Sequence, residues 1–370
     1  LKVCTEKIQI FNLTINTRQH KNNFDLLRLI GASTVVINHA YPLLTGNVNH
    51  DWFEKLNGTF GTGTLVLNIF FVISGYLITQ SLLAKNNAID FFIARCKRIF
   101  PALFFSIILS VFVVGLLATK LSSIAYLSQI DTWKYFVSMS VFKLRFSLPQ
   151  VFTEPYFHSS SVNGSIWTLA YEWVMYISIF MFGMIGVLQS KWKYLLLHLV
   201  IIAAMIFLDQ HPQLTTIRLF GIESTRIVNL YVYFMLGSLL FIFKDKFEIK
   251  WFYALAIFLI WVVSFKTEYC SIISFFAISI LTIWIAFLPI SFLQKLTSSG
   301  DYSYGIYVYS FPIQQLIIYY TSAQLSILQM IILSFVGTFP IAILSYHFIE
   351  LPVIKYNFTT LKSKFNVVQK

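Results

Sequence analysis

The sequence predicts an all-α, polytopic membrane protein with about ten transmembrane helices and both termini in the cytoplasm. Three observations carry that prediction. The 370 residues are 57% hydrophobic and only 11% charged, with a mean hydropathy of +0.73, whereas a soluble domain carries roughly a quarter charged residues. Apolar runs of around 20 residues recur along the chain, each long enough to span ~30 Å of hydrocarbon as a helix. Finally, runs such as "LLLHLVIIAAMIFL" lack the alternation of apolar and polar residues that a β-barrel needs.

The predicted spans are 24–44, 60–83, 99–118, 166–187, 194–209, 226–243, 251–266, 271–289, 303–320 and 326–349, with Trp and Tyr near several ends as interfacial anchors. With the amino terminus inside, 19 of the 27 Lys and Arg residues fall on the cytoplasmic side, which sets the orientation. The chain then divides into a cytoplasmic segment (1–23), a membrane domain (24–350) and a cytoplasmic tail (351–370). No cleavable signal peptide is expected, because the first ~20 residues are polar and mixed. Residues 119–165 are too long for a hairpin turn and fall on the extracytoplasmic side. "TWKYFVSMSVFKLRF" is half-apolar and suits an interfacial or re-entrant segment, and "SLPQVFTEPYFHSSSVNGS" is rich in turn formers. Cys4, Cys96 and Cys270 have no metal-ligand spacing, so neither a disulfide framework nor a zinc site is expected. His20, His50, His158, His198, His211 and His347 likewise show no metal-binding spacing, and no metal is expected. The net charge of +12 does not mark a soluble nucleic-acid binder, because the hydrophobic spans exclude that class.

Three stretches carry polar groups where a bilayer penalises them. In "FDLLRLIGASTVVINHA" (24–40), Arg28 and His39 are eleven residues apart. At 100° per residue they share one face, separated by roughly 16 Å of rise. Asp25 stands one turn before Arg28, close enough to orient it. Snorkelling to headgroups accounts for many arginines at this depth and interhelical hydrogen bonding for many histidines. Ionisable groups within spans are nonetheless functional candidates, and histidine is the usual general base near neutral pH. In "FFIARCKRIFPALFF" (91–105), Arg95, Lys97 and Arg98 stand at the expected start of the third span. Guanidinium groups beside a helix N-terminus suit a phosphate-rich ligand, although a positive-inside anchor has the same composition. In "NGSIWTLAYEWVMY" (163–176), Glu172 lies about one and a half turns inside the fourth span. A carboxylate there needs a partner, and His39 is the expected one, its imidazole tautomer set by the pairing.

Ser74–Gly75 reads as a close helix contact, with Ser74 lacking a local base. Tyr304, Tyr307 and Tyr309 fit pocket lining and interfacial anchoring equally. Glu350 reads as structural.

In this order, Arg28 and His39, "FFVISGYLIT" (70–79), Arg95 and Arg98 in "RCKRIFPALF", "NGSIWTLAYE" (163–172), "SYGIYVYSFP" (303–312) and "FIELP" (348–352) resemble the acyltransferase-3 family of integral membrane O-acyltransferases. The resemblance covers about Phe24 to Pro352. It implies transfer of an acyl group, usually acetyl, to bacterial surface polysaccharides and related extracytoplasmic acceptors. It also implies residence in the inner membrane, with acyl-CoA, membrane lipids and a polysaccharide or lipid-linked glycan as partners. By the same resemblance His39 is the catalytic base, and Arg28, Arg95 and Arg98 hold acetyl-CoA as acyl donor. From the residues themselves, Glu172 is the expected support of His39 and Lys97 a further contact to the CoA phosphates. Trp167, Tyr171, Tyr304 and His158 are the candidates for acceptor contact. The chain departs from a common family pattern at Ser310, where many members carry histidine. The 20 residues after Glu350 leave no room for the hydrolase-like domain appended in some members. A direct attack by the acceptor and an acyl-His39 intermediate both fit this sequence. A multi-span transporter or flippase of a glycan or small polar molecule is the rival reading, and it would move substrate without consuming acyl-CoA.

Overall fold

The computed structural model describes residues 22–47, 51–84, 88–209, 211, 218–219, 222–245, 249–289, 297 and 299–356. Most of the expected segments 1–23 and 351–370, together with His20, His50 and Cys4, lie outside the described residues. All ten expected spans are helices, and among the described residues three short helices lie in the connections. In chain order these are α1 (Phe24–Thr45), α2 (Trp52–Asn57), α3 (Thr62–Ala84), α4 (Ala88–Ile108), α5 (Ser123–Ser128), α6 (Ile130–Lys134), α7 (Thr168–Met184), α8 (Lys191–Asp209), α9 (Ser224–Ile242), α10 (Trp251–Val263), α11 (Cys270–Ala286), α12 (Ser303–Thr321) and α13 (Ile327–Ser345). α4 and α13 each run on through a π-helical turn, Leu109–Gly115 and Tyr346–Glu350. The segments Thr62–Ala84, Asp90–Ala118, Ser165–Met184 and Ile327–Lys355 are long and apolar enough to cross a membrane. Large apolar side chains on α8, α10 and α13, including Trp192, Leu196, Val263 and Val336, face outward, as a lipid-facing surface requires.

α1 is held at both ends by polar groups that suit its place inside the bundle. Before its first turn, buried Asn23 donates from its backbone N–H to Ala286 O (2.7 Å) and from Nδ2 to Ile285 O (3.1 Å) and Leu288 O (2.7 Å). These bonds tie the start of α1 to carbonyls at and just beyond the end of α11, where a helix runs out of its own donors. α1 ends at Gly46, whose φ of 68° is the left-handed conformation that closes a helix. α3 packs on α9 through a reciprocal small-residue contact. A Cβ on Gly75 would overlap the Phe234 carbonyl, and one on Gly237 would overlap the Val72 carbonyl. Close backbone approach is therefore what Gly75 supplies, as its sequence context suggested.

The third span departs from expectation. The helix begins at Ala88, eleven residues before the expected start, so Arg95 and Arg98 lie two to three turns inside it. Their backbone N–H groups are beyond the free first turn, and a helix N-terminus is not what surrounds them. Residues 119–165 form α5, α6, a 3₁₀ turn (Tyr135–Ser140) and an ordered return, with Tyr126, Tyr135, Val151 and Phe152 buried. Tyr126 donates to Val111 O (3.0 Å), tying the segment to the π-helical part of the third span.

Candidate active site

The "NGSIWT" stretch is a structural knot before α7. Asn163 Nδ2 donates to Val308 O (2.8 Å) and Ser106 Oγ (3.1 Å), and its Oδ1 accepts from Ser165 Oγ (2.7 Å). Ser165 Oγ also reaches Tyr307 O (3.0 Å), and the Tyr307 hydroxyl donates to Ser165 O. The knot therefore locks the start of α7 against α4 and α12. Gln314 Nε2 donates to Val36 O (2.8 Å), which fixes α12 beside the half of α1 that carries His39.

Two cavities lie along α1. The first, of about 160 Å³, is lined by Arg28, Arg95, Arg98, Glu172, Tyr176, Ser74 and Tyr304 among others. Its charges are compensated locally. Asp301, in the turn before α12, accepts from Arg28 (2.7 Å) and from Arg98, and Asp25 accepts from Arg28 at 3.0 Å. Burial works against the Asp301 carboxylate, but Arg98 and Arg28 outweigh it and hold its pKa below the usual carboxylate range. Glu350, fully buried, stands 3.8 Å from Arg98 and accepts from Ser345 Oγ at 3.2 Å, in keeping with a structural role. Arg95 differs: its guanidinium reaches Ser81 Oγ at 3.4 Å, and its Nε is buried without a hydrogen-bond partner.

The second cavity, of about 290 Å³, is lined by His39, Asn38, Asp51, Glu54, Ser165, Trp167 and others. His39 Nδ1 is buried with no hydrogen-bond partner, and Phe311 packs edge-on to the ring at 5.3 Å. Asp51 caps α2 through Phe53 N (3.0 Å) and also accepts from Thr62 N (2.6 Å), Thr62 Oγ1 (2.8 Å) and Asn38 Nδ2 (3.2 Å). Partial burial opposes its ionisation, and these hydrogen bonds, led by Thr62, still hold its pKa below normal. The two cavities share a wall made of Leu67, Thr168 and Tyr307. Within it Thr168 Oγ1 and the Tyr307 hydroxyl are 2.7 Å apart.

The residues singled out from sequence separate across these spaces. Arg28, Arg95, Arg98, Glu172 and Tyr304 line the arginine cavity, and His39 and Trp167 line the histidine cavity. Glu172 does not meet His39: it accepts a hydrogen bond from Tyr176, one turn along α7. Lys97 lines neither cavity and donates to Tyr356 O at the end of the last helix. Tyr171 is buried edge-on to Trp167 (5.3 Å) and lines neither cavity. His158 packs against Gly46 beyond the end of α1. Ser310 is fully buried with its Oγ unpartnered, outside both linings. Sequence reasoning passed over Asp301, Asn38, Asp51 and Leu67. Asp301 stood two residues before a motif already singled out, and its pairing with two distant arginines leaves no local pattern. Among the described residues no group of three or more His, Cys, Asp or Glu side chains is arranged to hold a metal ion.

Comparison with known proteins identifies relatives of this chain. The chain is 29% identical over 340 residues to an O-acetyl transferase of Shigella phage Sf6, covering 85% of this chain and 93% of the relative. It is 32% identical over 181 residues to nodulation protein 10 of Rhizobium leguminosarum bv. viciae, covering 47% of this chain and 46% of that protein. It is 28% identical over 372 residues to YrhL of Bacillus subtilis (strain 168), named as a peptidoglycan O-acetyltransferase, covering 88% of this chain and 55% of that protein. No solved structure matches. The family model described as an acyltransferase domain matches residues 21–347, nearly the whole chain, and the protein therefore belongs to the acyltransferase-3 family.

Proposed function

We propose that this O-acyltransferase moves an acyl group, acetyl in the first instance, from cytoplasmic acyl-CoA to a hydroxyl of an extracytoplasmic carbohydrate, carried on a polysaccharide or a lipid-linked glycan, at the inner membrane. The observation that carries the reading is the meeting of two cavities on one wall, one lined by three arginines and the other by a histidine with an unpartnered ring nitrogen. CoA phosphates suit the arginine cavity, with Arg95 the guanidinium whose donors are least committed. Arg28 and Arg98, held in place by their shared carboxylate Asp301, add guanidinium donors beside it. The pantetheine arm is an extended chain of the same order as the roughly 16 Å between Arg28 and His39 along α1.

In the transfer step His39 takes the proton of the acceptor hydroxyl as that oxygen attacks the thioester carbonyl. The C–O bond forms, the C–S bond breaks, and the CoA thiolate takes the proton back from the imidazolium. Glu172 is assigned to the arginine cavity, where its carboxylate and Tyr176 orient Arg95 rather than His39. Trp167 offers the acceptor an aromatic face, and Asn38 and Glu54 offer it polar groups. The names of the relatives, an O-acetyl transferase and a peptidoglycan O-acetyltransferase, support a polysaccharide-type acceptor.

The test is base-labile O-acetyl on the surface glycan of cells making wild type or His39→Ala at matched membrane levels. Acetyl gained with wild type and lost with the variant supports the reading. Equal acetyl in both removes His39 as the base. Glycan export without any acyl-CoA consumption by wild type would favour a flippase instead.

A further inference from the structure

We infer that Leu67 sets the length of the acyl group, because it forms the apolar side of the wall where the two cavities meet. The inference rests on the acyl-CoA reading above. A donor anchored by the arginines and attacked beside His39 has to present its thioester carbonyl at the boundary between the two spaces. Only Leu67, Thr168 and Tyr307 belong to both linings among the described residues. Two of the three are committed. The Tyr307 hydroxyl donates to Ser165 O and meets Thr168 Oγ1 at 2.7 Å, and Ser165 is itself tied to Asn163. That side of the boundary is a fixed polar edge, aligned to bound the carbonyl end of the thioester.

Leu67 faces it from α3, with Phe70 and Phe71 one turn further along in the arginine cavity. This side is apolar and only half-buried, with no hydrogen bond tying it down. The alkyl tail of the acyl group therefore packs on Leu67, where apolar surface is removed from water on both sides, and not on the polar edge, whose hydroxyl groups are paired with each other and with Ser165 O. In a packed apolar pocket one methylene changes discrimination by roughly 10- to 200-fold. The side-chain volume at position 67 then decides whether a tail longer than acetyl fits while the carbonyl stays in reach of His39.

The experiment uses everted membrane vesicles containing the full chain and their own glycan precursors, supplied with radiolabelled acetyl-, propionyl- or butyryl-CoA. Base-labile incorporation is measured for wild type, Leu67→Ala and Leu67→Phe at matched protein levels. Leu67→Ala is expected to shift the acetyl-to-butyryl ratio toward butyryl by about 10-fold or more, and Leu67→Phe to shift the acetyl-to-propionyl ratio the other way. Ratios unchanged within about twofold in both variants overturn the inference and leave the acyl-CoA reading standing. A second readout does not depend on turnover: Leu67→Cys, with Cys4, Cys96 and Cys270 replaced by Ala, should be shielded from a small alkylating reagent by acetyl-CoA. Alkylation at an unchanged rate overturns the placement of the acyl group at this wall. Incorporation from none of the three donors by wild type overturns the acyl-CoA reading itself, and the inference with it.

Discussion

The arginine cavity and the histidine cavity lie side by side along α1, yet Arg28 and Arg98 in the one and His39 in the other are held differently. In the first, Arg28 and Arg98 are bound to Asp301 and Glu172 is bound by Tyr176. In the second, His39 keeps a buried ring nitrogen without a partner. Ionised groups in low dielectric must be paired, and removing one partner strands the other at a cost of about 3–5 kcal/mol. A neutral imidazole nitrogen is cheaper to leave bare, at about 1–3 kcal/mol, and a bare polar atom at a cavity wall is a site kept open for a ligand or a proton. The comparison therefore separates a cavity whose charges also hold the fold together from one whose key residue does little for stability.

Substitutions can break that comparison. The largest effect on activity is expected for His39→Ala, a loss of about 10²- to 10⁴-fold in acyl transfer with thermal stability unchanged. A fall in melting temperature comparable to that of a charge-pair variant would erase the distinction between the cavities. Next is Asp301→Asn, expected to destabilise the protein by about 3–5 kcal/mol, because two guanidinium groups lose their shared carboxylate. The pKa of Asp301 is depressed in the folded state. Its stabilisation is therefore fully present above the unfolded carboxyl pKa of about 3.9 and is lost as pH falls through the folded value. The gap in melting temperature between wild type and Asp301→Asn should be wide at pH 7 and begin to close only below about pH 4. A gap that closes nearer neutrality would contradict the ion-pair account.

Arg95→Ala sharpens the comparison from inside the arginine cavity. Arg95 lacks a carboxylate partner as close as those of its neighbours, so its loss should raise the acyl-CoA KM by about 10- to 100-fold with little change in melting temperature. A stability loss without a KM effect would make Arg95 structural. The smallest effects are expected for Lys97, which lines neither cavity, and for the pH dependence of a Glu172 variant. Lys97→Ala, at a position turned toward Tyr356, should change KM by no more than about twofold. Glu172→Gln should leave the pH dependence of transfer where it is in wild type, since Glu172 bonds to Tyr176 and not to His39. A displaced pH profile would restore the pairing that sequence reasoning expected.

How much was legible beforehand differs between elements. α1 was expected over 24–44 and is Phe24–Thr45, because a mostly apolar stretch of spanning length is closed by glycine. The start of the third span was placed too late because "KNNAIDFFIARCKR" carries charge that a hydropathy reading assigns to a loop. That charge is tolerated inside the helix because Asp301 and Glu350 arrive from the far end of the chain. The shared face of Arg28 and His39 followed from helical periodicity alone, and each residue does line a cavity. The His39–Glu172 pairing did not survive, because periodicity orders residues around one helix and says nothing about depth relative to another.

The sequence by itself determined the helical membrane class, the family and the residues that carry charge into the spans. Those properties follow from local composition and spacing, which act within a single segment. The tertiary structure alone decided that Glu172 belongs with the arginines, that Asp301 clamps two of them, and that Leu67, Thr168 and Tyr307 part the two cavities. Each of these depends on the packing of helices far apart in the chain. Buried charges and cavities are properties of the space between elements, and no single stretch of residues encodes them.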